Sequence, residues 1–566
     1  MPLWRRRPDS DRFAAIRAAA RILVSMMLVA LAGAGAPAAA RAQGSPTVAP
    51  LDPAYLDARR LIDAGLVRDV VVGQAPYSRL TFARLTLEAQ SRMLASRNAS
   101  ASNAVLHLAI DRLLARFGDE VEALRTGARA ESVVHALSEW EVDLLHTDAP
   151  SRTIAGNGLG SVEADIRPLT DNRGGRRVAT GTDASLETMH WARLGSRLTL
   201  EARPRLWWHD AHDGTRAVDL KMLSANARLV AGNVALTVGR EYTDWGTAPG
   251  GGLFFSANPP ALDMIRIASE TPMRLGGPLR WLGPVSGTLQ LADVGASVSH
   301  SHSLLAAYKV SVQPTPDLEL GATFADHFGG AGAVNPSLGR RLADLLPFID
   351  IFRHHADSTE FDSDKLLGVD ARLILPHAAD VTVFGEFALE DFDVHRLKSV
   401  LTEDAALIVG VRVPTLLVPS VSAQLAYHAT GLRFYEHHQL VNGIAASRSI
   451  IGDDLGRDAS GWYGTVTWER RDGLSLRADA AYESRGNDQY VGEYTKPGLQ
   501  GLVFRTVSTS PPELRRRVMG ELAMRPVNGR TRASLAGGIE RVSGPPLASA
   551  GGRTSGLAEA RFTVYR

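Results

Sequence analysis

The chain has 566 residues, enough for three ordinary domains or for one large closed β-structure. Its 62 Lys and Arg balance 61 Asp and Glu, which excludes the basic surplus that nucleic-acid binding needs. No cysteine is present, so disulfide scaffolds, thiolate metal sites and cysteine nucleophiles are excluded as well.

The chain begins with an address. Seven cations, from Arg5 to Arg41, stand against Asp9 and Asp11 in residues 1–42, leaving 55 cations and 59 anions, a net of −4, in the rest. A basic stretch ends at Arg21, an apolar run follows at 22–34, and Ala40-Arg41-Ala42 has the small-residue spacing of a cleavage site. That order reads as a secretory signal peptide, and the run is short of the roughly 20 residues a spanning helix needs. No later window reaches roughly 18 apolar residues. The exported chain is therefore expected to be periplasmic, secreted or an outer-membrane barrel. A mean hydropathy of −0.06 fits strands that hide their apolar face by alternation.

After a polar leader at 43–50, the pattern is helical to about 130. Tyr55, Leu56, Arg59, Ile62 and Leu66 recur at three and four, with Gly65 near the stop. Ser78 or Thr81 can cap a second helix carrying Phe82, Leu85, Ala89 and Met93. A third is expected from about Asn103, with Leu106, Ile110, Leu113, Phe117, Val121 and Leu124 on one face.

The period then changes from 3.6 to 2. In 197–208, Leu198, Leu200, Ala202, Leu206 and Trp208 alternate with Arg197, Thr199, Glu201, Arg203 and Arg205, interrupted by Pro204. Hairpins are expected around Asp472-Gly473 and Asn528-Gly529. Similar alternation marks 134–144, 222–230, 234–239, 318–324, 367–375, 381–390, 421–428 and 557–565. A soluble sandwich needs only about 100 residues. Long strands with one dry and one ionic face, running to the end without a linker, instead predict an all-β transmembrane barrel of about 18 antiparallel strands. Aromatic residues, at 6%, are thin for two interfacial girdles. The organisation read from the chain is thus a signal peptide at 1–42, a periplasmic helical bundle at 43–130 and an outer-membrane barrel at 131–566.

Signatures of catalysis are missing. There is no G-x-S-x-G elbow for a nucleophile. The adjacent pairs His354-His355 and His437-His438 would point to opposite faces of a strand, and His300-Ser301-His302 would share a face but has no carboxylate close in sequence, so solvated loop or lumen histidines explain all six better than a metal site. Gly250-Gly251-Gly252 lacks the Lys and Ser/Thr of a phosphate loop and reads as a turn inside a folded loop over 244–263. A second non-strand element is expected at 336–352, from the helical spacing of Leu338, Leu342, Leu345 and Leu346. No enzyme activity, cofactor or metal is expected.

Several short blocks resemble one family. They are Gly239-Arg240-Glu241-Tyr242-Thr243-Asp244-Trp245-Gly246 with Pro249, then Leu253 and Ser256-Ala257-Asn258-Pro259. Others are Gly368-Val369-Asp370-Ala371-Arg372, Phe434-Tyr435-Glu436-His437-His438 and Ile451-Gly452-Asp453-Asp454-Leu455-Gly456-Arg457. Their order and spacing resemble the Wzi-type capsule assembly proteins. The resemblance implies an 18-strand outer-membrane barrel with a periplasmic helical bundle, holding capsular or related exopolysaccharide and lectin-like rather than catalytic. Phe562-Thr563-Val564-Tyr565-Arg566 ends the chain one residue beyond the aromatic terminus that barrel assembly machinery usually reads.

Sugar binding would stack aromatic faces on pyranose rings and hydrogen-bond their hydroxyls. The residues expected to do so are Trp245, Asn258, Tyr427, His428, Tyr435, His437 and His438. The expected partners are capsular or exopolysaccharide, outer-membrane lipid and the assembly machinery. The alternative is a sugar- or anion-selective porin, with the Arg-rich face of 197–205 as its selectivity ladder.

Overall fold

In the computed structural model the described residues are 43–95, 104–128, 130–167, 169, 173–176, 180–211, 214–248, 251–333, 363–390, 397–494, 502–508, 511–544 and 552–566. The expected leader at 1–42 and the expected element at 336–352 lie outside them.

Alternation closes the chain into a barrel. Leu262–Ser269 and Met273–Arg274 both pair with Pro284–Asp293 and act as one interrupted strand, which gives a closed antiparallel wall of 18 strands. Val133–Thr147 opens the wall and Arg553–Tyr565 seals it, in register from Leu557↔Thr147 to Tyr565↔Glu139. Strand Leu198–Ala211 shows why the wall is two-faced. Leu200 and Leu206 are 41% and 47% exposed on the outside, whereas Thr199 is 1% exposed. Arg203 turns inward to Glu139 and Glu187 at 3.2 and 2.7 Å. Pro204 has no N–H for the ladder. The register slips there, from Arg203↔Ser224 to Pro204↔Met222, so a bulge absorbs it.

The turn chemistry holds at both expected hairpins. Asp472-Gly473 joins Ala459–Glu469 to Leu474–Arg485, and Asn528-Gly529 joins Glu513–Met524 to Thr531–Ser543. These short turns lie at the end of the barrel that carries the helices.

The helices are α1 (Ala54–Asp63), α2 (Arg79–Ala95), α3 (Ala104–Arg116) and α4 (Gly118–Thr126). Ser78 Oγ accepts the Thr81 N–H at 3.1 Å and caps α2. The third expected helix is two helices. Phe117, at φ −113° and ψ 26°, leaves the helical conformation and stacks on Phe82 with ring centroids 5.0 Å apart. The break turns α4 back, so that Val121 joins the same core as Phe82 and Phe117 instead of running past it.

The bundle is held by charge at the short-turn rim. Arg112 of α3 donates to the Arg525 carbonyl at 2.6 and 3.1 Å and to Glu469 at 2.5 Å, and Arg525 reaches Asp57 of α1 at 2.9 Å. Residues 67–78 keep Val67, Val70, Val72 and Tyr77 in the bundle core while their backbone reaches the inner face of the wall. Val72 and Gly73 donate their N–H groups to Glu319 at 3.0 and 2.9 Å.

Candidate functional site

From the end opposite the helices, three long connections fold down into the barrel: 149–167, 242–261 and 431–458. Each is fixed by buried polar groups, because irregular backbone inside a low-dielectric wall must find its hydrogen bonds there.

Connection 242–261 descends furthest. Asp244–Trp245 pairs antiparallel with Gln74–Ala75, and Trp245 also bridges to Phe255. Glu386, from the wall strand Val381–Glu390, accepts the Ala248 and Leu253 N–H groups at 3.0 and 2.9 Å. This explains a glycine beside the tryptophan. Gly246 has φ +136°, and a Cβ there would sit 2.1 Å from the Glu386 carboxylate. Burial pushes the Asp244 carboxyl up to about 7, although Arg59 and Lys309 pull the other way.

Connection 431–458 packs on the first. Tyr435 donates its hydroxyl to the Leu253 carbonyl at 2.6 Å and accepts the Asp453 N–H at 2.8 Å. The Tyr435 N–H is held by Glu390 at 2.5 Å. Asn258 Nδ2 donates to the Ile450 carbonyl at 3.0 Å, and Ser256 Oγ donates to that of Gly452 at 2.5 Å. Gly452 has no room for a side chain, since a Cβ would lie 2.1 Å from the Leu253 carbonyl oxygen. Connection 149–167 completes the plug. Asn157 Nδ2 donates to the Leu432 carbonyl at 3.1 Å, and Ser161 Oγ to that of Val441 at 2.8 Å.

The two blocks singled out in the sequence, around Trp245 and around Tyr435, are therefore brought together in one core. Trp245, Asn258, Tyr435 and His437 are 1%, 6%, 0% and 5% exposed. The hydrogen bonds of Asn258, Tyr435 and His437 and the ring face of Trp245 are spent on the plug itself. His437 Nδ1, for example, accepts the Gln439 and Leu440 N–H groups at 3.2 and 3.0 Å. His428 points into the lumen, with Nδ1 2.6 Å from Asp453 Oδ2. Burial opposes ionisation of Asp453, yet the imidazole beside it holds its carboxyl below the usual range. Tyr427, one residue earlier on the strand Val421–Thr430, faces outward beside Trp462, with ring centroids 4.9 Å apart. It faces away from the plug that His428 faces, because successive residues of a strand alternate. Of the seven, only His438 is exposed at the loop end.

A family model for the capsule assembly protein Wzi matches residues 153–556. The chain belongs to the Wzi capsule assembly family. No curated protein matches it significantly in sequence. Among solved structures it is similar to Wzi from Escherichia coli, described as an outer-membrane protein involved in group 1 capsule assembly and a carbohydrate-binding β-barrel. That likeness has a TM-score of 0.61 at 14% identity, over 92% of this chain and 100% of that one. OccK7 (OpdD) of Pseudomonas aeruginosa follows at 0.40 and 9%, over 77% and 99% of the two chains. OccAB4 of Acinetobacter baumannii is at 0.39 and 11%, over 77% and 98%.

In this Wzi-family barrel the outward surface of the plug includes groups the sequence reading passed over. Val298 and Ser299 donate their N–H groups to Glu163 at 2.9 and 3.0 Å. His300 Nε2 lies 2.8 Å from the Gln439 carbonyl, across 139 positions of sequence, and His302 is largely exposed. The H-x-H pattern was visible as a pair of loop histidines. Its meeting with 437–439 has no local signal, because only the closed wall brings those loops together.

The Arg-rich face of 197–205 does not stand bare. Arg203 lies between Glu139 and Glu187, and beyond the plug the lumen retains a cavity of about 830 Å³ lined by both signs of charge, including Arg205, Arg477, Glu521 and Glu559.

Proposed function

We propose that this protein holds capsular or related exopolysaccharide at the cell surface, as a lectin-like outer-membrane barrel without catalytic activity. The observation that carries this reading is the plug. A wall built for a wide lumen is filled with cross-bonded loops, whose outward side offers His302, His438, Ser299 and Gln439 to a polymer. Membership of the Wzi family and the carbohydrate binding described for the Escherichia coli protein support it. On this reading residues 1–42 direct export and are removed, the helices stand on the periplasmic side, and the barrel assembly machinery receives the C-terminal strand. Trp245, Asn258, Tyr435 and His437 act on the polymer indirectly, by shaping the loops that carry the contacts. Each contact is weak, and retention comes from many repeats and many barrels together.

The test is deletion of the gene followed by quantification of cell-bound and shed polysaccharide. Normal synthesis with increased shedding is expected, and lost synthesis would move the protein to an export role. A porin is the rival reading, and the plug disfavours it. Steady ohmic conductance of the parent protein in planar bilayers would restore it.

A further inference from the structure

The lumen chamber between the plug and the helices is a polar space that the retention of polymer at the loops leaves unused. At about 830 Å³ it falls within the roughly 300–1,000 Å³ of small-ligand sites. It runs out to the surface at the helix end, where the exposed Leu51 and Leu56 line it. A smaller hollow of about 460 Å³ adjoins it there, sharing Val105 of α3 with Pro419 and Ser420 of the turn at 414–420. The chamber is therefore reached from beside the bundle, at the end opposite the loops that carry His302 and His438.

Its cations are not all matched. With two exceptions, the arginines that line it are each paired with a carboxylate. The exceptions are Arg59 of α1 and Arg205 of strand Leu198–Ala211, neither of which makes an ion pair among the described residues. Arg59 Nη1 and Arg205 Nε are also buried without a hydrogen-bond acceptor. Asp244 is within electrostatic reach of Arg59, and Glu187 and Asp143 are within reach of Arg205. Glu187 and Asp143 are already taken, by Arg203 and Arg176. A guanidinium withdrawn from water without an anion is costly, and an incoming carboxylate that accepts its N–H groups offsets that cost.

Across the ring of strands the wall supplies neutral hydrogen-bonding groups. Ser422 stands opposite Thr467, and Gln424 opposite Thr465, on adjacent strands, and all four line the chamber. Among the described residues only Thr465 of these four spends its side chain, donating to Asp479 at 2.6 Å. Tyr242, within electrostatic reach of Arg205, adds a phenol to the lining.

We propose that the chamber binds an acidic oligosaccharide, with Arg59 and Arg205 on its carboxylates and the Ser422, Gln424 and Thr467 patch on its hydroxyls. Two unmatched arginines on separate elements suit a sugar chain with more than one carboxylate, and the patch both donates to and accepts from ring hydroxyls. The site is distinct from the loop surface, and only the naming of its entrance as periplasmic rests on the function proposed above.

The test titrates detergent-solubilised full-length protein with trigalacturonate, with maltotriose as the neutral trisaccharide and with inorganic phosphate, by isothermal calorimetry. The parent is expected to bind trigalacturonate at least tenfold more tightly than maltotriose. Arg59→Gln with Arg205→Gln removes that preference, whereas Arg216→Gln, an exposed arginine elsewhere on the barrel, keeps it. His302→Ala with His438→Ala, on the loop surface, keeps it too, and millimolar phosphate leaves it unchanged. Equal or absent binding of the two trisaccharides by the parent overturns the site without any variant needing to fold, and leaves the retention reading to its own shedding test. An undiminished preference in the assembled arginine double variant, or its loss in the loop variant, overturns the chamber as the place of binding. Full displacement by phosphate overturns the sugar and leaves a free-anion site.

Discussion

Glu386 is the wall residue on which closure of the plug depends most directly. Its carboxylate receives two backbone N–H groups of the same connection, from Ala248 and Leu253. A hydrogen bond contributes about 0.5–1.5 kcal/mol net, so the pair contributes about 1–3 kcal/mol. Glu386→Ala strands both donors in the interior, and the connection 242–261 is expected to detach from the wall and sample open positions. Glu386→Gln keeps one acceptor oxygen and turns an N–H toward the other donor, so roughly half of that stabilisation is expected to remain. Planar-bilayer recordings should show a quiet parent, flickering openings for the glutamine variant and long openings for the alanine variant. Protease cutting within 242–261 should rise in the same order, at equal barrel level by heat-modifiable gel migration. An assembled Glu386→Ala protein as quiet and as resistant as the parent would refute the clamp.

Leu200→Arg, on the lipid face, should impair membrane assembly by about 2–4 kcal/mol if it lies near the midplane, as read by the assembled fraction. Thr199→Ala should assemble normally, whereas Thr199→Arg meets a packed interior, since Thr199 is 1% exposed and bonded to the Arg228 carbonyl. Arg112→Ala leaves Asp57 and Glu469 buried with fewer partners and should cost about 3–5 kcal/mol of bundle docking, detectable as earlier trypsin release of the helices. Burial pushes the Glu436 carboxyl from its ordinary 4.5 up to about 8, even with Arg457 2.7 Å away. A raised carboxyl favours the folded loop while protonated, so protection of 431–458 in hydrogen exchange should be fullest near pH 4.5 and decline toward pH 8. Glu436→Gln should flatten that profile.

Alternation made the wall legible, because each strand carries its own inside and outside in sequence. Leu200 and Thr199 needed no partner to be assigned. The turn residues Asp472-Gly473 and Asn528-Gly529 were legible for the same reason, their chemistry being local. What the sequence hid was non-local. Aromatic and amide groups in loops read equally well as ligand contacts or as packing. Trp245 and Tyr435 were singled out as sugar contacts, yet they lie at 1% and 0% exposure because each loop finds its core on the other. The helix break at Phe117 had only a weak local signal in Gly118, while the Phe82 ring on which Phe117 stacks belongs to another helix.

The antiparallel contact between Gln74–Ala75 and Asp244–Trp245 places a piece of the helical segment inside the ring of strands. That contact constrains how the protein is made. The helical segment leaves export first, while the sealing strand Arg553–Tyr565 leaves last. If the wall closed before residues 67–78 were seated, they could enter only through a mouth already narrowed by the returning loops. Insertion and closure are therefore expected to be concerted, with the helices waiting at the open seam between first and last strands. Tyr565, whose ring lies 3.9 Å beneath the Arg116 guanidinium of α3, marks where that seam meets the bundle. A chain lacking 43–130 would then seal around its returning loops alone, and its loop 242–261 would have to find a fold without Gln74–Ala75, the strand it pairs with.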